Sequence, residues 1–200
     1  MEAQADLIER VRLVCGIEHV LTDPVTLSTY RSDGVRRDGP PPLAVALPGE
    51  AAEVAAVVSA CAAASVPWVA RGAGTSRDGT ALPLSGGLMI VLTRMRRIRS
   101  IDLGEDELTV EPGVPAAAIS RAVAPTHQLQ IDHPGTVGGA AAVGAVGPHL
   151  VGLDLVRDDG ALVTLSSRST GYDVVGAFGG SRGAPGIAVS ITLRALRTHS

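Results

Sequence analysis

The chain has 200 residues, 46% of them hydrophobic, and a net charge of -3. All 17 of its basic residues are arginine, which excludes a Walker A lysine and a lysine Schiff base to pyridoxal phosphate. Its aromatic residues are Tyr30, Trp68, Tyr172 and Phe178, too few for a base-stacking platform, and the slightly acidic balance excludes the basic footprint of a nucleic-acid-binding protein.

Apolar residues Leu7, Ile8, Val11 and Val14 recur at helical spacing and predict a short amphipathic helix over residues 5–14. The polar stretch from Thr22 to Pro42, rich in Asp, Gly and Pro, reads as a loop. Leu43–Leu47 is an apolar strand closed by Pro48-Gly49, after which Glu50 and Glu53 place negative charge at the start of a helix running to about Ser65. Cys61 continues the apolar stripe of Val54, Val57 and Val58 and reads as a buried thiol. Cys15 and Cys61 are too few for a disulfide scaffold or a cysteine-based metal site, and no metal site is expected. The N-terminus lacks a cationic start followed by an apolar run, and no apolar run is long enough to span a bilayer, so a cytoplasmic protein is expected.

Val66–Ala70 reads as a buried strand that completes a parallel β-α-β unit. It runs into Arg71-Gly72-Ala73-Gly74-Thr75-Ser76. Two readings stand for this turn: a tight strand exit with no ligand, or a nest of converging main-chain N–H groups that binds phosphate oxygens without a lysine. At the carboxyl edge of a parallel sheet the second places a ligand where such sheets usually bind one.

Further strands are predicted at 88–92, 98–102 and 108–111. Arg94, Arg96, Arg97 and Arg99 alternate with Met95, Ile98 and Ile101 as on a solvated strand edge. An alanine-rich helix from Pro115 to Ala124 opens a second lobe. Asp132-His133-Pro134-Gly135-Thr136-Val137-Gly138-Gly139 follows, and glycines alternate with small residues to Gly147. Residues 151–157 and 161–165, joined by Asp158-Asp159-Gly160, form a hairpin. Residues 171–178 read as a short helix and 187–196 as an alternating strand.

Several motifs stand in one order: the strand ending at Pro48, the turn Ala70 to Ser76, Ala81-Leu82-Pro83, Val110-Glu111-Pro112-Gly113-Val114, Gly135-Thr136-Val137-Gly138-Gly139, Thr170-Gly171-Tyr172-Asp173, and Gly180-Ser181-Arg182-Gly183 leading into Gly186-Ile187. Together they resemble the FAD-binding domain of the vanillyl-alcohol oxidase and p-cresol methylhydroxylase (PCMH) type of flavoprotein, in particular glycolate oxidase subunits and D-lactate dehydrogenases. The resemblance runs from about Thr22 to Leu196.

It implies an α+β fold, a single two-lobed domain over residues 1–200. A small parallel β-α-β lobe spans about 22–103 and a larger mixed-sheet lobe about 104–197, with no C-terminal cap domain. It also implies that FAD is bound through Arg71, Gly72, Ala73, Gly74, Thr75 and Ser76 at the diphosphate. Gly135, Thr136, Gly138 and Gly139 form a second wall, and Pro48, Val110, Pro112, Gly113, Ile187 and Val189 line the adenine end. Thr75 and Ser76 stand where some relatives carry a histidine linked to the cofactor, so non-covalent FAD is expected.

The implied activity is oxidation of a small 2-hydroxy acid by hydride transfer to FAD, with a catalytic or iron-sulfur partner subunit as a further expectation. No catalytic residue is assigned. His133 is the one candidate, read either as an ordinary loop histidine or as a contact to the flavin or a substrate anion, with Asp132 orienting it or facing water. Ser76-Arg77-Asp78-Gly79-Thr80 replaces a glycine-rich stretch of the relatives and brings charge toward the phosphates. The chain is also short between His149 and Val151, and Pro185 lacks an N–H. These departures keep two alternatives open: a diverged non-catalytic FAD- or nucleotide-binding module, and a structural partner of a catalytic flavoprotein subunit.

Overall fold

Leu88-Met89-Ile90-Val91 is an all-apolar strand of the N-terminal half, and it takes an interior place in the first sheet, where it is buried along its whole length. The computed structural model describes residues 2–34, 39–77, 79–170 and 172–198; Asp78, Gly171 and the 35–38 part of the expected 22–42 loop lie outside the described residues. The chain divides into two units, Met1–Arg94 with Val156–Leu162, and Met95–Leu155 with Val163–Ser200.

In the first unit, helix α1 (Glu2–Cys15), strand β1 (Val20–Leu21), helix α2 (Pro24–Ser28), β2 (Ala44–Ala46), α3 (Ala51–Ala63), β3 (Trp68–Arg71) and β4 (Leu88–Val91) follow in order. The sheet order is β1-β2-β4-β3. Strand β4 runs parallel to both β2 and β3, and β1 adds an antiparallel edge. The β-α-β unit predicted over 43–70 is therefore present with β4 inserted at its centre.

The expectation of a buried strand at 66–70 is corrected. β3 is an edge strand and half-buried throughout; Pro67, just before it, has no N–H to give a ladder, which suits an edge. The loop expected over 22–42 is corrected too, because it contains α2. Asp23 caps that helix, its carboxylate accepting from Thr26 N–H at 2.8 Å, and Pro24 occupies the first turn, where its missing N–H costs nothing.

α3 buries Val54, Val57, Val58 and Cys61 completely, each valine contributing about 2 kcal/mol, and α1 packs against it through Leu7, Val11 and Cys15. Both cysteines are free and buried, and desolvation pushes each thiol up to about 11.

The second unit holds β5 (Ile98–Asp102), β6 (Glu107–Val110), α4 (Ala116–Val123), β7 (His127–Gln128), α5 (Val137–Ala142), β8 (Leu150–Val156), β9 (Leu162–Ser166), α6 (Val174–Phe178), β10 (Ile187–Arg194) and β11 (Leu196–Arg197). Five strands form a sheet in the order β5-β6-β10-β8-β9, and β7 pairs with β11. β10 sits at the centre and is buried along most of its length, where the sequence predicts alternation. Leu108, Val110, Ile119, Val137, Phe178, Ile191 and Leu193 belong to one core cluster of this unit.

The division at Arg94 and Met95 falls before the expected 103–104, because residues 98–102 pair with β6 and not with the first sheet. The predicted hairpin forms, closed by Arg157 N–H to Ala161 O at 2.9 Å. Its tip joins the first unit, where Ser59 Oγ donates to Asp159 O at 3.2 Å.

Candidate functional site

β3 ends at Arg71, and the chain turns through Gly72-Ala73-Gly74, with Gly74 at φ 72°. That backbone conformation favours glycine. Among the described residues the main-chain N–H groups of Gly72, Ala73, Gly74 and Thr75 donate to no protein acceptor. Gly72, Gly74 and Thr75 are half-buried. An amide with neither a protein partner nor full access to water is a ready donor to a ligand oxygen.

The preceding segment holds the turn from behind. Gly34 N–H donates to Ser76 O at 2.8 Å, and Asp33 Oδ2 accepts from Gly79 N–H at 3.0 Å. A β-carbon at Gly34 would stand 3.0 Å from Thr75 O, so the two loops approach as closely as a glycine allows. Ser76 and Thr80 hydroxyls lie 3.2 Å apart.

The Arg71 side chain folds back into this assembly. Its Nη2 donates to Ser32 O at 2.9 Å and its Nη1 to Ala81 O at 3.4 Å, and its guanidinium carbon lies 5.8 Å from the centre of the Tyr30 ring. Desolvation lowers the Arg71 pKa against the opposing influence of Tyr30 and Asp33. The same guanidinium fills the space that a β-carbon on Gly74 would need. Arg77 is exposed.

The second small-residue segment has a different character. Thr136 caps α5, its hydroxyl accepting from Gly139 N–H at 3.4 Å. Val137 N–H donates to Val114 O at 2.8 Å, Gly138 N–H to Pro112 O at 2.9 Å, and Gly135 N–H to His133 Nδ1 at 3.0 Å. A wall of free donors at Gly135, Gly138 and Gly139 is thus not what the structure offers; the Gly138 amide holds the segment to the Pro112 turn, and those of Gly135 and Gly139 bond within the segment to His133 and Thr136. Thr136 N–H alone in the run 135–139 has no acceptor among the described residues.

Gly138 has a clear steric reason, since a β-carbon there would stand 2.7 Å from Pro112 Cβ and 3.0 Å from Pro112 O. Alanine gains about 1 kcal/mol of helix propensity over glycine, while overpacking against a rigid proline costs about 1–3 kcal/mol. Gly138→Ala is expected to lower unfolding free energy by about 1–2 kcal/mol, read by urea denaturation, the collision outweighing the propensity. A more stable variant would show that the Pro112 turn yields.

His133 is half-buried, and desolvation holds its pKa below the usual histidine range. Its Nδ1 is occupied as an acceptor by Gly135 N–H. The neutral ring therefore carries its proton on Nε2, which leaves a donor and no free base. His133 accepts from Gly135 N–H within its own turn, and this geometry leaves its Nε2 donor, not a base, to face a ligand. Asp132 is exposed.

Of the residues expected at an adenine end, Pro48 belongs to the first unit, and Val110, Pro112, Gly113, Ile187 and Val189 to the second. All are buried. Val110 is a member of the second unit's own core, so its side chain supports the fold and has no surface to give a ligand. Among the described residues no group of His, Cys, Asp or Glu side chains is arranged to hold a metal ion. Sequence reasoning missed Tyr30 and Ser32, which buttress the first turn; the signal for their placement was Asp23-Pro24, the start of α2.

Comparison with known proteins gives a consistent picture. A family model described as FAD binding domain matches residues 42–166. The chain is 34% identical over 201 residues to a glycolate oxidase subunit of Escherichia coli, covering 92% of this chain and 40% of that protein. It is 33% identical over 192 residues to D-2-hydroxyglutarate dehydrogenase of Xanthomonas citri pv. viticola, covering 86% of this chain and 41% of that protein. The fold matches p-cresol methylhydroxylase with a TM-score of 0.83 at 19% identity, over 99% of this chain and 44% of that one. The chain thus spans about 40% of the length of the curated relatives.

Proposed function

Because the chain belongs to the FAD binding domain family, we propose that it is the non-covalent FAD-binding part of a flavin-dependent oxidoreductase acting on a small 2-hydroxy acid. The observation that carries the reading is the turn at 72–75. Among the described residues its four amides have no protein acceptor, at the end of a parallel strand, and they fit the oxygens of a diphosphate. The substrate class follows from the relatives, whose names specify glycolate, D-2-hydroxyglutarate and D-lactate.

When bound, FAD supplies a two-electron acceptor: the C2 hydride of the hydroxy acid passes to the flavin, and the hydroxyl proton passes to a base, leaving the 2-oxo acid. Residues of this chain bind and orient; Thr136 N–H and the Nε2 donor of His133 are suited to polar oxygens. The base and the electron acceptor belong in this proposal to the remainder of the protein or to a partner subunit. The proposal sets the protein in the cytoplasm, in keeping with two free buried thiols. No helix among the described residues is long and apolar enough to cross a membrane.

A second reading, a module that keeps the fold and holds the cofactor weakly, is favoured by the committed amides of residues 135–139. One titration separates them. Purified protein is expected to show an oxidised flavin band or to quench added FAD fluorescence at stoichiometric protein. A colourless protein that rejects FAD eliminates both flavin readings, and weak, unsaturating quenching selects the second. Bleaching of the band by glycolate or D-lactate, without added protein, would show that the chain also carries the missing base.

A further inference from the structure

Arg71 is a half-buried cation with no carboxylate in hydrogen-bonding distance among the described residues: its partners there are two main-chain carbonyls, of Ser32 and Ala81, and the face of Tyr30. Carbonyls and a ring face give partial charge only, and the nearest acid, Asp33, accepts from Gly79 N–H. A guanidinium has five donors in a fixed fork. Among the described residues two are used, and the group lies against the α-carbon of Gly74, beside the amides that have no acceptor there.

A diphosphate at that turn would bring two negative charges to neutral N–H groups. Alone, a nest of amides supplies dipoles and no net charge. A phosphate oxygen and a guanidinium are a complementary pair, with charge-assisted bonds roughly twice as strong as neutral ones. We propose that the side chain of Arg71, and not only the main chain around it, is the counter-charge of this site, binding a phosphate oxygen of a diphosphate ester while its other donors hold the Ser32 and Ala81 loops. This rests on the reading of residues 72–75 as a diphosphate nest, and it adds a charged residue to a site otherwise made of amides.

The test uses inorganic pyrophosphate first, which needs no flavin pocket, and FAD and riboflavin second. In amide-resolved NMR of the whole chain, pyrophosphate is expected to move the signals of Gly72–Thr75. Arg71→Gln should weaken its binding about 10- to 100-fold, as loss of a charged hydrogen bond does, and Arg71→Lys should recover part of it. FAD affinity should fall by a similar factor in Arg71→Gln, with riboflavin, which has no phosphate, changed less than about threefold. Tyr30→Leu, which disturbs the brace without removing charge, should keep the FAD to riboflavin ratio.

Arg71→Gln binding pyrophosphate as tightly as the native chain overturns the assignment, and so does an equal loss of FAD and riboflavin, the mark of a positioning role. Pyrophosphate binding that depends on Arg71 in a chain that rejects FAD leaves the anion site standing and removes the flavin reading. FAD binding untouched by Arg71→Gln does the reverse.

Discussion

Replacing Arg97 and Arg99 together by alanine is expected to lower the unfolding free energy by about 3 kcal/mol or more, whereas Glu111→Gln costs less than half of that. Glu111 directly follows β6 and has no exposed surface. Its carboxylate accepts from Arg97 N–H at 2.8 Å and Arg97 Nε at 3.0 Å, with Arg97 Nη2 at 2.9 Å and Arg99 Nη2 at 3.4 Å. The arginine heads are 68% and 35% exposed. As surface pairs they would contribute under about 1 kcal/mol.

Burial of the acid changes the balance, because removing both cations leaves a charge in the interior that must be neutralised or hydrated. Glutamine keeps the shape and can still accept from Arg97 N–H, so it escapes most of that cost. Burial pushes the Glu111 carboxyl up, but the side-chain and main-chain hydrogen bonds of Arg97 and the charges of both arginines outweigh it and hold the pKa below its ordinary 4.5. The folded value lies below the unfolded one. The stabilisation is therefore complete above the ordinary value and is lost as pH falls below it. Urea denaturation at pH 7 and in mild acid measures both effects: the native chain should lose this stability in acid, and Glu111→Gln should not lose that increment. A larger loss in Glu111→Gln than in the double alanine variant would show that packing, and not charge, holds β5 to the Pro112 turn.

The arginine cluster illustrates what was legible in the sequence. Alternation of Arg97 and Arg99 with Ile98 and Ile101 predicts an exposed edge strand, and β5 is one, with every residue exposed. The partner was not legible, because Glu111 lies 14 residues from Arg97 and only strand pairing brings them together. Local signals worked where chemistry is local: Asp158-Asp159-Gly160 closes a hairpin, and Pro48-Gly49 precedes α3, whose Glu53 Oε2 reaches back to Gly49 N–H at 2.7 Å.

They failed where neighbours decide. Val66–Ala70 has the composition of a buried strand, yet the more apolar β4 takes the centre and pushes β3 to the edge. The same holds at the candidate site. Glycines at 72 and 74 mark the first turn correctly as a place of unusual backbone. Those at 135, 138 and 139 look equivalent in sequence, but there the amides are already bonded, and at Gly138 the missing side chain serves close packing on Pro112. A glycine run records that something approaches closely, without saying whether it is a ligand or the protein's own backbone.

Gly74→Val is expected to lower FAD affinity at least about 100-fold, with a change of only about 1–2 kcal/mol in unfolding free energy. Valine is poorly tolerated at φ 72°, because its branched Cβ meets the backbone in the left-handed region. The new Cβ would also collide with the Arg71 guanidinium, and that group cannot withdraw without giving up Ser32 O or Ala81 O. Strain in an exposed-to-half-buried turn spreads little into a core built from β2, β4 and α3, so the fold should survive. The main chain of residues 72–75, which turns on that left-handed residue, should not keep its geometry. Steric conflict also predicts coupling: Gly74→Ala combined with Arg71→Ala should perturb stability by less than the sum of the two single changes, since the second removes what the first would strike. Titration of FAD by fluorescence and urea denaturation of the four proteins give the full cycle. Undiminished FAD affinity in Gly74→Val would remove the diphosphate nest from this turn, and strict additivity in the cycle would show that Arg71 and Gly74 do not share the space that the structure assigns to them.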